Sequence, residues 1–297
     1  MSVRDFTVVV VSYGSADHLM ELLPTLSGMD MIVVDNGPAD RPLEALPEGV
    51  RQMGSGRNIG FGAAVNLAIS GIDTPYFVLV NPDARPSVGD IDGLVSRVAA
   101  DTRVAQCGAL LERSPAVMQG GAAGWQPGMV RAIVEATGIG RMLRTSGLYE
   151  KARPGEFVEV EWVAGTSVAM RTDAFRSVGG FDERWFLYFE DWDLGYRLAQ
   201  AGWRSVLAGD IVVPHARGTS SGASSPDQQR QAAEAQNEYF RYRLGPARGR
   251  VAQAALAIGF VARYLAHRVR GRRAAAVETV VHLTATVSGR SGFIRAG

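Results

Sequence analysis

Three runs of β-branched and aromatic residues stand out near the start of the chain, FTVVVVSYG (Phe6–Gly14), MIVVDNG (Met31–Gly37) and YFVLV (Tyr76–Val80). Their largely uninterrupted apolar stretches predict strands covered on both faces, as in the centre of a parallel sheet. Between them the period changes. Leu19, Leu22, Leu23 and Leu26 recur at helical spacing in a segment from Ser15-Ala-Asp17 to about Ser27, and a second helix is predicted from Ala63 to about Ser70. Such a β-α-β opening belongs to an open α/β sheet, which binds ligands beyond the carboxyl ends of its strands. Further on, a helix is predicted from Ile91 to about Ala100, with strands at Val104–Leu111, Phe157–Val163 and Thr166–Met170 and an edge-like strand at Ile211–His215. A helix starting near Asp191 carries Leu194, Leu198 and Ala201 on one face, with Gly202 as its cap. Pro226–Leu244 reads as an exposed helix. From Ser114 to Glu156 the pattern fades, leaving one amphipathic piece, Val130–Leu143.

At 297 residues the chain can hold one large domain or a domain plus an appendage. Hydrophobic residues at 46% and charged ones at 21% are a globular balance and exclude a disordered chain. The lone Cys107, inside VAQCGALL, excludes an intramolecular disulfide framework and suits a reducing compartment. Arg4 and Asp5 lead straight into a strand with no leader pattern, so a cytoplasmic protein is expected. The net charge of +1 hides an asymmetry: from Arg241 onward eleven arginines face one acid, Glu278. That imbalance points to an anionic partner for the tail. Val251, Ala255, Ile258, Ala262, Leu265 and Val269 share a helical stripe, with Arg263, His267 and Arg270 beside it. Arg263 interrupts the apolar run, which falls short of the ~18–20 residues of a membrane span. A basic amphipathic helix of this kind predicts binding to an anionic membrane surface. Docking on its own domain, or on a second copy in a homodimer, is the other use of such a stripe. Nucleic acid is set aside, because no groove-reading motif accompanies the charge.

Candidate chemistry gathers at the predicted strand ends. Ser12 and Tyr13 close the first strand, and Asp35 and Asn36 the second. The glycine-rich stretch Gly54–Asn66 lets backbone amides approach a phosphate or sugar. It is not a dinucleotide fingerprint, because Ile59 stands at the third glycine position. After Tyr76–Val80 come Asn81 and Asp83, in a turn stiffened by Pro82 and Pro86. Mg²⁺ is typically held by one or two carboxylates plus substrate phosphates, although a single Asp here also suits a plain turn. Gly179–Arg197, GGFDERWFLYFEDWDLGYR, sets Asp182, Glu183, Glu190, Asp191 and Asp193 among aromatic rings. Burial raises a carboxyl group's pKa, and a carboxylate so tuned can deprotonate a hydroxyl. Acids at a helix start also satisfy the helix dipole, which pulls the pKa down. A lone histidine, His215, follows Pro214.

Taken together these stretches resemble family 2 glycosyltransferases, in particular the rhamnosyltransferase-like branch. The resemblance rests on GGFDE at Gly179–Glu183, F-x-Y-x-E-D-x-D-L at Phe186–Leu194, Arg197, and Gly202–Trp203. It is joined by R-N-x-G-F-G-x-A-x-N from Arg57, N-P-D at Asn81–Asp83 in the place of a D-x-D motif, and W-x-x-G at Trp162–Gly165. It covers roughly Phe6–Gly222 and implies a GT-A fold, a Rossmann-like α/β domain with a mainly parallel sheet over residues 1–240. About 1–110 would bind the nucleotide-sugar and 111–240 the acceptor, with the faded stretch as a variable acceptor-side insertion and 241–297 as a basic helical tail. It further implies inverting transfer by direct displacement, with Asp191 as catalytic base. Asp83 and His215 would hold a divalent metal, Mg²⁺ or Mn²⁺, and Asn81 in place of the motif's first Asp removes one carboxylate. Ser12, Tyr13, Asp35, Arg57, Asn58, Gly60 and Asn81 would meet the donor, as would Asn66. Trp162, Gly165 and Glu190 would lie near the acceptor, Trp162 either stacking on a sugar or serving as core. The donor implied is dTDP-L-rhamnose, and the acceptor a polyprenyl-linked or growing cell-envelope glycan at the cytoplasmic face of the membrane. Related sequences use galactofuranose or N-acetylhexosamine donors with similar motifs. A sugar nucleotidyltransferase would place a glycine-rich basic loop after the first strand, where VSYGSAD stands. A non-catalytic scaffold would have lost Asp83 or Asp191, and both are present.

Overall fold

The predicted apolar runs form the parallel half of one sheet. In the computed structural model β1 (Phe6–Ser12), β2 (Met31–Asp35), β3 (Val50–Gly54) and β4 (Tyr76–Val80) run parallel in the order β3-β2-β1-β4. Val8–Val10, Ile32–Val34 and Phe77–Val80 are all buried, as uninterrupted apolar strands require. The structure describes residues 5–37, 43, 46–54, 56–137, 148–150, 152–215 and 226–271, with short helical pieces at 279–280, 283–284 and 286–287. Crossovers are made by α1 (Ala16–Leu22), extended by a 3₁₀ turn over Leu23–Leu26, and by α2 (Phe61–Ser70). β3 has no counterpart in the sequence reading, because an edge strand exposes Arg51 and Gln52 and shows no apolar run.

The remaining elements are α3 (Val88–Ala100), β5 (Val104–Ser114), β6 (Val117–Met118), β7 (Ala123–Gly124), α4 (Met129–Thr137), β8 (Phe157–Val160), β9 (Trp162–Val163), β10 (Ser167–Arg171), α5 (Thr172–Ser177), α6 (Glu190–Gln200), β11 (Arg204–Pro214), α7 (Pro226–Leu244) and α8 (Pro246–Val269). The sheet continues as β4-β10-β5-β11-β8, with β6 a hairpin on β5, while β7 and β9 pair separately. β10 runs antiparallel to both β4 and β5, and β11 runs parallel to β5. The carboxyl ends of β1, β2, β4, β5 and β11 therefore emerge at one edge, the place expected for ligands.

Several predicted boundaries shift. α3 begins at Val88 instead of Ile91, because Ser87 caps it: Ser87 Oγ accepts from Asp90 N at 3.1 Å and Ser87 N donates to Asp90 Oδ2 at 2.8 Å. The predicted edge-like strand Ile211–His215 overlaps the last part of the eleven-residue β11, where Val212–Pro214 pair with β5, while Ser205–Ala208 lie between β5 and β8. Its register shifts between Ala208 and Val212. There Gly209 exchanges hydrogen bonds with Gly155 and Glu156, and a Cβ would meet Glu156 O at 2.4 Å. The bulge breaks the two-residue period and hides the first half of the strand. Of the predicted helix Val130–Leu143, α4 covers positions up to Thr137, and 138–143 lie outside the described residues.

The chain divides into two compact units. The first, Met1–Gly124, Ala152–Phe186 and Glu190–Ala223, contains the whole sheet. The second, Trp125–Lys151, Leu187–Phe189 and Ser224–Gly297, is helical and contains α4, α7 and α8. There Gly249 of α8 lets the helix close on α7, since a Cβ would meet Arg241 Cα at 2.7 Å, and Gln253 Nε2 donates to Asn237 O at 2.7 Å. Arg263 ties α8 to α4 by donating to Glu135 O at 3.2 Å. No helix among the described residues is long and apolar enough to cross a membrane.

Candidate active site

The ligand edge begins at β1 and β2. Ser12 is buried, with its Oγ 2.9 Å from Ser15 Oγ, while Tyr13 is exposed. Asp35, at the end of β2, accepts from Gly37 N at 3.0 Å and Leu43 N at 2.9 Å, so its carboxylate holds both backbone positions. The buried Asn36 donates to Asn58 Oδ1 and accepts from Ile59 N, both at 3.0 Å. Asn58 Oδ1 also accepts from Gly60 N at 3.0 Å. These bonds hold the glycine-rich loop against the edge. Gly60 has φ 91° and its absent Cβ would sit 2.6 Å from Phe186 O, so only glycine fits there. Arg57 is exposed beside it.

Asp83 and His215 are brought together. The turn after β4 carries Asp83, and β11 leads directly into His215, whose backbone bridges Ala84. His215 Nε2 lies 3.1 Å from Asp83 Oδ1, and Nδ1 lies 2.8 Å from Gln119 Oε1. Both residues are buried. Burial alone would raise the Asp83 carboxyl, but the hydrogen bond and charge of His215 hold it below its ordinary value. Asn81, half-buried, donates its N–H to Thr166 O at 2.8 Å, which fixes this turn to the start of β10. Gln119 escaped the sequence reading, since nothing in the faded stretch marks it.

The signature stretch is pinned to α2. Asn66 Nδ2 donates to Phe181 O and Asn66 Oδ1 accepts from Phe181 N, both at 2.9 Å. Its amide is thus spent on the backbone of GGFDE. Phe61 N donates to Phe186 O at 3.0 Å. Tyr188 and Phe189 both have φ of 70°, a left-handed conformation costly for large side chains, immediately before α6. α6 opens with Glu190 and Asp191. Asp193 is buried and paired with Arg197 Nε at 2.7 Å, while Arg197 also donates to Val178 O and Gly180 O. Asp193 is therefore a clamp on the Gly179-Gly180 turn.

Glu190 is buried against Gly62, with Oε2 lacking a partner among the described residues. Burial and the neighbouring Asp191 push its carboxyl well above the ordinary range. Asp191 is half-buried and accepts from the Trp192 amide at its own Oδ1, at 2.9 Å. Burial lifts its carboxyl to about 7, against the downward pull of the backbone N–H groups at the helix start. Trp162 is fully buried, its ring stacked on Trp192 at 4.7 Å between centroids. Gly195 permits this: a Cβ would meet Glu161 O at 2.2 Å. Gly165 admits the edge of Phe61, 3.1 Å from where its Cβ would stand.

The acidic start of α6 and the buried Asp83–His215 pair belong to the same α/β unit. Over 239 residues the chain is 32% identical to the N-acetylglucosaminyl-diphospho-decaprenol L-rhamnosyltransferase of Mycobacterium tuberculosis, covering 72% of this chain and 77% of the relative. The chain belongs to glycosyltransferase family 2. The family described as "Glycosyltransferase like family 2" itself matches residues 149–233 of the transferase, which include the whole signature stretch. The Rhamnosyltransferase WbbL of Escherichia coli is 26% identical over 213 residues, 66% of this transferase and 78% of that protein. Among solved structures the transferase is similar to the mannosyltransferase PcManGT from Pyrobaculum calidifontis in complex with GDP-Man and Mn²⁺. That match has a TM-score of 0.59 at 14% identity and covers 96% of this chain and 86% of that one. The fold is GT-A, and the protein is an enzyme that transfers a glycosyl group.

Proposed function

We propose that this enzyme transfers L-rhamnose from dTDP-L-rhamnose, with inversion, to a lipid-linked or cell-envelope glycan at the cytoplasmic face of the membrane. The donor and acceptor classes are supported by the two rhamnosyltransferase relatives, one of which is named for a decaprenol-linked N-acetylglucosamine. The observation that carries the site assignment is the pairing of Asp83 with His215 at the sheet's ligand edge.

That pair fits a divalent cation. Among the described residues no cluster of three or more acidic, histidine or cysteine side chains exists. A buried carboxylate and an imidazole suit an ion that shares its coordination with the substrate's phosphates. When bound, Mg²⁺ or Mn²⁺ would neutralise charge on the departing diphosphate. The backbone of the Gly60 loop, with Ser12, Tyr13, Asp35, Arg57, Asn58 and Asn81, lies where it can position the nucleotide. On the acceptor side, Asp191 Oδ1 is held by the Trp192 amide, so Oδ2 takes the proton of the acceptor hydroxyl. The hydroxyl oxygen bonds to the anomeric carbon as the bond to the diphosphate oxygen breaks, its electron pair leaving with the nucleoside diphosphate. Glu190 beside it, its carboxyl raised by burial and by the Asp191 charge, borders the acceptor side. Trp162 and Gly165 act on that side through packing, by fixing Trp192 and Phe61.

The test is a panel of nucleotide-sugars, scored for metal-dependent binding and slow hydrolysis without acceptor. dTDP-L-rhamnose should bind and hydrolyse best. Preference for UDP-galactofuranose or a UDP-N-acetylhexosamine would reassign the donor, and no response to any sugar would remove the catalytic reading.

A further inference from the structure

The helical unit carries an apolar surface that the transfer reaction does not use. α8 turns Ala252, Leu256 and Gly259 inward and leaves large apolar side chains outside: Ile258 is 71% exposed, Leu265 56% and Val269 89%. With Val251, Ala254 and Val261 these fall within about 60° either side of Ile258 at ~100° per residue. On α4, Val130 is 72% exposed and Ile133 48%. Ile133, Ala255, Ile258, Ala262 and Ala266 line a mostly apolar groove of ≈ 450 Å³, which Arg263 also borders. Large exposed apolar patches mark interaction surfaces.

The charges say what covers it. Arg250 and Arg268 lie about 80° to one side of Ile258 and Arg248 about 80° to the other, all exposed and with no acid on α8. Arginine stems can lie along apolar surface while their guanidinium groups stay in water. An apolar stripe bordered by arginines therefore matches the acyl–headgroup boundary, where the stripe enters hydrocarbon and the borders meet phosphates. A second copy of this chain would bring the same arginines against one another.

We propose that the outer face of α8, continued by Val130 and Ile133 of α4, docks on a bilayer surface containing anionic lipids, with α8 lying in the interface plane. This stands independently of the transfer reaction, since vesicle binding needs neither donor nor acceptor.

The experiment is flotation of the full chain with phosphatidylcholine vesicles, with and without phosphatidylglycerol, and light scattering for oligomeric state. The full chain should float with the phosphatidylglycerol vesicles and be released as salt rises, because screening acts within ~8–10 Å. Ile258→Asp with Leu265→Asp should abolish flotation while leaving the unfolding midpoint unchanged, since both side chains are exposed. Arg250→Gln with Arg268→Gln should weaken binding roughly fivefold per arginine. Three results would overturn the proposal: no flotation by the full chain, undiminished flotation of the Asp pair, or a dimer that the Asp pair dissolves without any vesicle binding. The last would give the face to a second copy.

Discussion

His215 Nε2 lies 3.1 Å from Asp83 Oδ1 across 132 residues of sequence, joining the turn after β4 to the end of β11. Calorimetry with dTDP, with and without Mn²⁺, tests what that contact is for. Asp83→Ala and His215→Ala should each remove the metal-dependent part of dTDP affinity, at least about tenfold or ~1.4 kcal/mol. Asp35→Ala should weaken dTDP binding with or without metal, because its carboxylate holds the backbone N–H groups of Gly37 and Leu43 beside the end of β2. Identical behaviour of all three variants in both conditions would sink this division of the site.

Asp191→Asn should cut transfer to an authentic acceptor by ~10²–10⁴-fold, the usual worth of a general base. Donor and metal affinity should stay near the parent's, as Asp191 is assigned to the acceptor side. Glu190→Gln should lose less, because Glu190 is not the group assigned to take the acceptor's proton. Full turnover by the Asp191 variant would leave Glu190 as the candidate base, since Asp193 is bound by Arg197.

The raised Asp191 carboxyl gives two opposite pH dependences. As a base it works only when ionised, so activity should rise as pH passes upward through about 7. Its folded value lies above the ordinary ~3.9 of an unfolded aspartate, so the folded state holds the proton more tightly. Ionisation therefore lowers stability progressively between ~4 and about 7. Asp191→Asn should gain thermal stability over the parent across that window and hold the gain above it. A stability difference independent of pH would refute the burial argument.

Asn66→Ala should destabilise the first unit by ~1–3 kcal/mol, because it strands both the N–H and the C=O of Phe181. Urea unfolding measures this. A loss of donor affinity with unchanged stability would instead place Asn66 on the nucleotide, as its motif implies.

Much of this architecture is written locally. The apolar runs of β1, β2 and β4 have one stable use, the middle of a sheet, and that alone puts Asp35, Asn81 and Asp83 at or just beyond strand ends. The α8 stripe was equally legible, because a 3.6-residue period needs only near neighbours. Elements lacking a period were not: β3 at the exposed edge, and the first half of β11, hidden by the bulge at Gly209. Side-chain partnerships over long separations were beyond reach too. Whether Trp162 packs or stacks on sugar depended on Trp192, thirty positions away, which Gly195 allows to approach. The helix dipole and burial pull Asp191 in opposite directions, and only the packed structure decides between them. Desolvation is a property of everything that surrounds a carboxyl group, whereas sequence specifies only its neighbours along the chain.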